Sequence, residues 1–287
     1  VADPALLELG LAGLPSPSTL LGMDLAVRRL VEALRRDQQV IVVGDFDADG
    51  ATSCALMMLG LNAMGFKSID YLVPNRFDYG YGLTPQIVDL AVRQAPDLII
   101  TVDNGISSIE GVAHARERSI DVIITDHHLP GKQLPSAHAI VNPNQPGCDF
   151  PAKNLAGVGV AFYLLSALRA ALREQDWFVQ NGLSEPNMAA WLDLVALGTV
   201  ADVVPLDQVN RILVHQGLER MRAGRCRPGI AALLRIAGKN PRRLVAADLG
   251  FAIGPRLNAA GRLDDISVGV QCLLSDDPQQ VLEAANL

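Results

Sequence analysis

The stretch VIVVGDFDADG, Val40 to Gly50, decides how this chain is read. A short β-branched run ends in a glycine and is followed by aspartates at alternating positions, Asp45, Asp47 and Asp49. The run suits a strand buried on both faces, as in a parallel sheet. Carboxylates crowded at its end repel one another and need something positive to hold them. A spacing of two puts side chains on one face while the chain is extended. Gly50 then permits a tight turn into the following helix, TSCALMMLGLNAMG, Thr52 to Gly65.

Working outward, the same alternation recurs. IDYLVP (Ile69 to Pro74), LIITVD (Leu98 to Asp103), DVIITD (Asp121 to Asp126) and AIVNP (Ala139 to Pro143) read as further strands. TPQIVDLAVRQ (Thr84 to Gln94) and SSIEGVAHARER (Ser107 to Arg118) read as helices, opened by Thr-Pro and by serines. Strands and helices alternating at this spacing imply βαβ units. The expected fold class is α/β, a five-stranded, mainly parallel sheet flanked by helices. After a turn at Pro146 to Pro151 the pattern changes: AGVGVAFYLLSALRAALRE, NMAAWLDLVALGTVADV and NRILVHQGLERMRAG all have helical character. Residues 1–150 are expected to form the α/β half that carries the chemistry. Residues 151–287 are expected to form a mostly helical half completing the same domain, ending in a helix that stops at Leu287.

Composition narrows the class. Of the 287 residues, 49% are apolar but only 5% aromatic, so the core is built from Ala, Val, Leu and Ile. The net charge of −7 would not by itself attract nucleic acid, so an anionic substrate needs metal ions or a local basic patch. The four cysteines form no CxxC pair and suggest neither a zinc site nor a disulfide framework. No secretory signal and no 18-residue uncharged apolar run is visible. A reduced, cytoplasmic protein without a membrane partner is expected. The chain starts at Val1, which reads as a fragment of a longer protein.

In an open α/β sheet, ligands bind outside the carboxyl ends of the strands. Those ends carry Asp45, Asp47 and Asp49, then Asp103 in TVDNG, then Asp126, His127 and His128 in TDHHLP. Oxygen ligands with one or two imidazoles suit Mn²⁺ or Mg²⁺ better than a thiophilic metal. Two such ions about 3.5–4 Å apart would neutralise the aspartates and form a clamp for phosphoryl transfer. The plainer reading, that each aspartate only caps a helix, fits one position better than it fits carboxylates and imidazoles at several strand ends. DADGA approaches the DxDx[TV] start of haloacid-dehalogenase-like phosphatases, but Ala51 stands where Thr or Val belongs. GVGVAF (Gly157 to Phe162) lacks the third glycine of a dinucleotide loop and reads as helix packing.

Taken together, DFDADG, VDNG and TDHH resemble the DHH phosphoesterase superfamily. GTVADVVPL (Gly198 to Leu206) supplies its further aspartate, Asp202. VPNRFDYGYGL (Val73 to Leu83) and GPRLNAAGRLDD (Gly254 to Asp265) resemble the RecJ-type family of single-strand-specific 5′→3′ DNA exonucleases within it. The resemblance implies that Asp47 and Asp103 bind one ion, with Asp45 near it. Asp49, Asp103, His127 and Asp202 would bind a second, so that Asp103 bridges. His128 would face the scissile phosphate, with Asp126 beside it in the catalytic set. Arg76, Asn104, Arg256, Asn258 and Arg262 would contact the substrate. A water activated by the metals would attack, releasing 5′-mononucleotides during DNA repair and recombination. Single-stranded DNA, a single-strand-binding protein and a repair helicase are the implied partners of a monomer. RecJ-type proteins continue into a DHHA1 domain and an OB-fold, neither of which is in this sequence, so the chain is expected to be the catalytic core cut in the linker helix. Two alternatives remain: a DHH-family hydrolase of short oligonucleotides or small phosphate compounds, and a non-catalytic DHH-fold replication scaffold.

Between residues 220 and 243 there are eight Lys and Arg residues and no acidic one, a third of the chain's 24 basic residues. Such a segment can follow a phosphate backbone despite the negative total. Arg225, Arg227, Arg242 and Arg243 are its candidate DNA contacts. A solvated helical face is the competing reading. With few aromatics nearby, backbone positioning is expected here and base reading is not.

Overall fold

The computed structural model describes residues 8–74, 79–263 and 266–286. Its centre is a sheet of five strands: β1 (Val40–Gly44), β2 (Ile69–Leu72), β3 (Leu98–Val102), β4 (Asp121–Thr125) and β5 (Ala139–Val141). Every pairing is parallel and the order is β2-β1-β3-β4-β5, so the expected sheet is found and is parallel throughout. β1 lies between β2 and β3, where the winding reverses. That reversal is the place at which doubly wound sheets open a crevice. Register then does the positioning. Gly44 pairs with Val102, and Val102 with Thr125. The next residues, Asp45, Asp103 and Asp126, therefore leave the sheet at one level.

The strand side chains sort by parity. Val40, Val42, Leu98, Ile100, Val102 and Ile123 join the larger core. Ile41, Val43, Ile99, Val122 and Ile124 join a smaller one on the other face. The smaller core is closed by α3 (Pro85–Val92) and α4 (Ile109–Glu117). Thr84 caps α3 with its side chain, as the Thr-Pro pair predicts. The larger core packs under α1 (Met23–Arg35), α2 (Ala48–Ala63), α5 (Gly157–Glu174) and α6 (Leu192–Ala201). α2 is apolar nearly all round, which a helix can be only when neighbours enclose it, and it packs on β1, α5 and α6.

Beyond α6 come α7 (Gln208–Arg222) and α8 (Pro228–Ile236), then a π-helical turn (Leu249–Ile253) that runs into α9 (Gly254–Leu263), α10 (Ser267–Leu274) and α11 (Pro278–Asn286). The turn sits against α6: a Cβ on Gly250 would lie 3.1 Å from a Val200 methyl. Among the described residues, no helix is long and apolar enough to cross a membrane.

The tight turn expected at Gly50 is absent. α2 begins at Ala48, so Asp49 and Gly50 are helical, and the extended spacing holds only as far as Asp47. Gly50 is needed for close approach and not for a turn, since a Cβ there would run into the Asp45 carbonyl oxygen.

Candidate active site

The β3 end is the most constrained part of the site. Asp103 has a left-handed backbone, φ 63°, and Gly105 follows at φ 115°. An aspartate tolerates that region better than most residues, but it remains strained. The turn is fixed by Thr101 Oγ1 donating to Asn104 O (2.7 Å) and by the Asp103 N–H donating to Thr125 O (3.0 Å). Its effect is to aim the Asp103 carboxylate at the start of α5. A Cβ on Gly157 would lie 2.5 Å from Asp103 Oδ1, so only glycine lets that helix come so close.

Asp49 is held from the same helix end. Its Oδ2 accepts the Gly157 N–H (2.7 Å) and its Oδ1 the Val158 N–H (3.0 Å), so the positive end of an 18-residue helix faces this buried carboxylate. GVGVAF is thus helix packing, as expected, and also the anchor of Asp49. Asp202 arrives from the opposite kind of helix end. It is the C-cap of α6, where a carboxylate meets the negative end of the dipole. The chain turns away at once through Val203, left-handed at φ 62° and 84% exposed, an outlier for a β-branched residue.

These groups converge. His127 Nε2 lies 3.2 Å from Asp103 Oδ1 and 3.5 Å from Asp202 Oδ2, and all three atoms are buried without a hydrogen-bond partner among the described residues. Ligand atoms of Asp49, His127 and Asp202 lie within 4.8 Å of one another, as do those of Asp103, His127 and His128. Asp47 stands at the edge of the cluster, where its Oδ1 caps α2 by accepting the Gly50 N–H (2.9 Å). The capping reading of that aspartate is therefore correct as far as it goes.

Burial and mutual repulsion dominate the electrostatics. Burial, then the charge of Asp47, raises Asp45 to about 7. Asp202 is raised to about 7 by the same two causes. Asp49 and Asp103 are raised well above the ordinary carboxylate range, by burial and then by the neighbouring aspartates. Burial, helped by the charge of His128, lowers His127 to about 4, so its ring is neutral at neutral pH. A neutral imidazole beside crowded carboxylates is the donor set of a hard divalent cation.

His128 behaves differently. Its Nδ1 donates to Asp126 Oδ1 (2.7 Å), which raises it to about 9 and makes it a cation. Asp126 is 1% exposed. Its Oδ1 also accepts the His128 N–H (3.1 Å) and its Oδ2 the Ile106 N–H (2.8 Å), so Asp126 orients and charges His128 from below. The His128 side chain is 43% exposed and faces the open side. Asn142 and Asn144, not singled out from the sequence, hold the His128 and His127 carbonyls at 3.0 and 2.6 Å.

The remaining expected residues divide. Asn104 does not open to a substrate: it is 1% exposed, and its amide donates to Val43 O and Val102 O, tying β1 to β3. Asn258 Oδ1 accepts the Ala48 N–H (2.7 Å), laying α9 across the mouth of the site. Arg256 is exposed and turns back to Ala252 O. Arg76 and the side chain of Arg262 lie outside the described residues. Arg225, Arg242 and Arg243 are exposed as expected, but Arg227 is not a surface cation. Its guanidinium donates to the Leu273 (2.7 Å) and Leu274 (3.2 Å) carbonyls, closing the end of α10, so it leaves the proposed patch.

Residues 39–199 match the DHH family, N-terminal domain. The chain belongs to the DHH family. This DHH chain is 61% identical over 271 residues to a single-stranded-DNA-specific exonuclease RecJ of Salmonella typhimurium, covering 94% of the chain and 47% of that protein. It is 59% identical to the RecJ of Escherichia coli, over 98% of the chain and 48% of that protein. It thus spans about half the length of the curated relatives it matches. A crystal structure of exonuclease RecJ bound to manganese superposes with TM-score 0.80 at 36% identity, over 93% of this chain and 64% of that one. A RecJ of Thermus thermophilus in complex with Mg²⁺ superposes with TM-score 0.65 at 31% identity, over 93% of this chain and 33% of that one.

Proposed function

We propose that this DHH chain is the catalytic core of a metal-dependent phosphodiesterase that degrades single-stranded DNA from the 5′ end, with two Mn²⁺ or Mg²⁺ ions. The observation that carries the reading is the convergence of Asp103 Oδ1, His127 Nε2 and Asp202 Oδ2, buried and unpartnered, on a ring of carboxylates whose charges are forced together. That donor set fits a hard divalent cation, and the similar RecJ structures were solved with manganese and magnesium. Asp49, Asp103, His127 and Asp202 would hold one ion. Asp47 and Asp103, with Asp45 beside them, would hold the other.

Bound ions would neutralise the cluster and assist attack of water on the phosphodiester. The chain's own groups do the rest. His127 stays neutral and therefore free to ligate. His128 stays charged on Asp126 and donates a hydrogen bond to the phosphate or its leaving oxygen. Asp49 is fixed by the α5 amides, so the ring keeps its shape as substrate enters. Residues 1–150 and 151–287 act on this reading as two halves of one catalytic domain. Its setting is cytoplasmic DNA repair, with strands unwound by a helicase and held by a single-strand-binding protein, and the chain working as a monomer.

The test measures release of 5′-mononucleotides from 5′-phosphorylated single strands and from duplex, with and without Mn²⁺. Mn²⁺-dependent release from single strands, abolished by Asp103→Ala, is expected. Release that persists in chelator, or that ignores strandedness, would overturn the reading.

A further inference from the structure

An exposed ring, Tyr81, stands beside His128 at the open side of the site. Tyr81 lies between Gly80 (φ 80°) and Gly82 (φ 72°), two left-handed glycines that throw its side chain out on a sharp tip. The tip is braced through Thr84 and Ser108, with the Tyr81 hydroxyl beside His128. Thr84 Oγ1 donates to Tyr79 O (3.1 Å), the Leu83 N–H donates to Ser108 Oγ (2.9 Å), and the Tyr81 hydroxyl sits 3.3 Å from His128 Nδ1. A Cβ on Gly82 would lie 2.8 Å from that same Ser108 hydroxyl, so the glycine also lets the loop sit down. Phe46 and His128 flank the ring edge to face, with centroids 6.2 and 6.0 Å away and planes at 78° and 84°. Neither lies parallel to it, and Tyr81 remains 50% exposed. A large ring set on a braced tip and half open beside His128 is poorly explained by packing alone.

Resting on the phosphodiesterase reading, we propose that Tyr81 is a base-stacking platform for the nucleotide whose phosphate is held at His128. Every base has a π-face, so the platform tolerates any sequence, but it requires that the base be unstacked from its neighbours. Preference for single strands then arises at the active site itself. The basic segment supplies only backbone charge.

The test uses two oligonucleotides of equal length, titrated in Ca²⁺ to hold back turnover. One carries 2-aminopurine at its 5′ end and the other an abasic sugar there. Wild-type protein should quench the 2-aminopurine. Tyr81→Ala should abolish the quench and weaken binding of the base-bearing strand by roughly 5- to 150-fold, the range for one stacked base. It should leave the abasic strand's affinity unchanged. Tyr81→Phe, which keeps the ring and drops the hydroxyl, should behave as wild type. Equal losses on both strands, or a quench that survives Tyr81→Ala, would overturn the stacking role alone. Wild-type protein that binds neither strand would overturn the phosphodiesterase reading and this proposal with it.

Discussion

Two adjacent histidines, 127 and 128, end with opposite charges because their surroundings differ. His127 is enclosed and lowered to about 4, whereas His128 is tied to Asp126 and raised to about 9. His127→Ala should therefore lose metal and activity together. His128→Ala should keep its metal and lose turnover by about 10²–10³, the usual effect of one transition-state donor. Metal analysis and nuclease rates on the two variants check this, and metal lost from His128→Ala alone would reverse the assignment. Asp126 gives a pH test. A raised histidine is charged below its pKa and loses its charge as pH rises through it, so the donor disappears near pH 9 in the native protein. Asp126→Asn removes the anion that raises it. The alkaline fall in kcat should then move toward the ordinary imidazole value of about 6.5. A limb that does not move would mean that another group sets it.

Helix ends do most of the positioning, and they divide what could be read in advance from what could not. The strands were legible because each is a short apolar run ending in a polar residue, and parallel register brings those ends level. Asp45, Asp103, Asp126, His127 and His128 were legible for the same reason, whereas Asp49 reaches the site from the first turn of α2. The start of α2 was not legible, because Asp47 belongs to the capping pattern and to the acidic cluster at once. Nor was the role of Arg227, whose carbonyl partner Leu273 is 46 residues away. Removing it by Arg227→Ala should cost about 1–3 kcal/mol in urea unfolding, since buried carbonyls lose their donors. It should leave the salt dependence of DNA binding alone. Replacing Arg225, Arg242 and Arg243 should do the reverse, flattening log affinity against log salt by roughly 0.7 per lost phosphate contact. An unchanged slope would make the segment an ordinary solvated face. At the α5 end, a methyl on Gly157 would meet Asp103 Oδ1 at 2.5 Å and Asp103 Cβ at 2.6 Å, in a turn already strained. Gly157→Ala should lower Mn²⁺ affinity about 10- to 100-fold, as lost support of a metal ligand does. Calorimetry showing native affinity would mean that the helix can retreat at no expense to the site.

Across the whole molecule, the site is where the sheet rim meets α2, α5, α6 and α9. The carboxylates gathered there oppose folding whenever they are charged and unneutralised. Asp45 and Asp202 are raised to about 7 in the folded protein, so without metal the folded state holds protons that the unfolded chain has released. Stability must then fall as pH rises through about 7. His128, raised to about 9, acts in the same direction. His127, lowered to about 4, acts in the opposite one, but mainly below about pH 6.5, where an unfolded histidine is more than half protonated, and it is outweighed above that by the three raised groups. Between pH 8 and 6.5 the sign is therefore single: in chelator, Tm should rise on acidification. Mn²⁺ should invert this, because it binds the ionised carboxylates and competes with their protons. At pH 8 and an ion concentration about 100 times the Kd, binding contributes about 2.7 kcal/mol, which for a chain of this size raises Tm by about 4–5 °C. The gain should shrink toward pH 6. Thermal unfolding followed in EDTA and in Mn²⁺ at pH 8, 7 and 6.5 measures both slopes. A metal-free Tm that climbs with pH across that window would mean that the aspartates are not held together against their charge, and the metal centre would lose its physical basis.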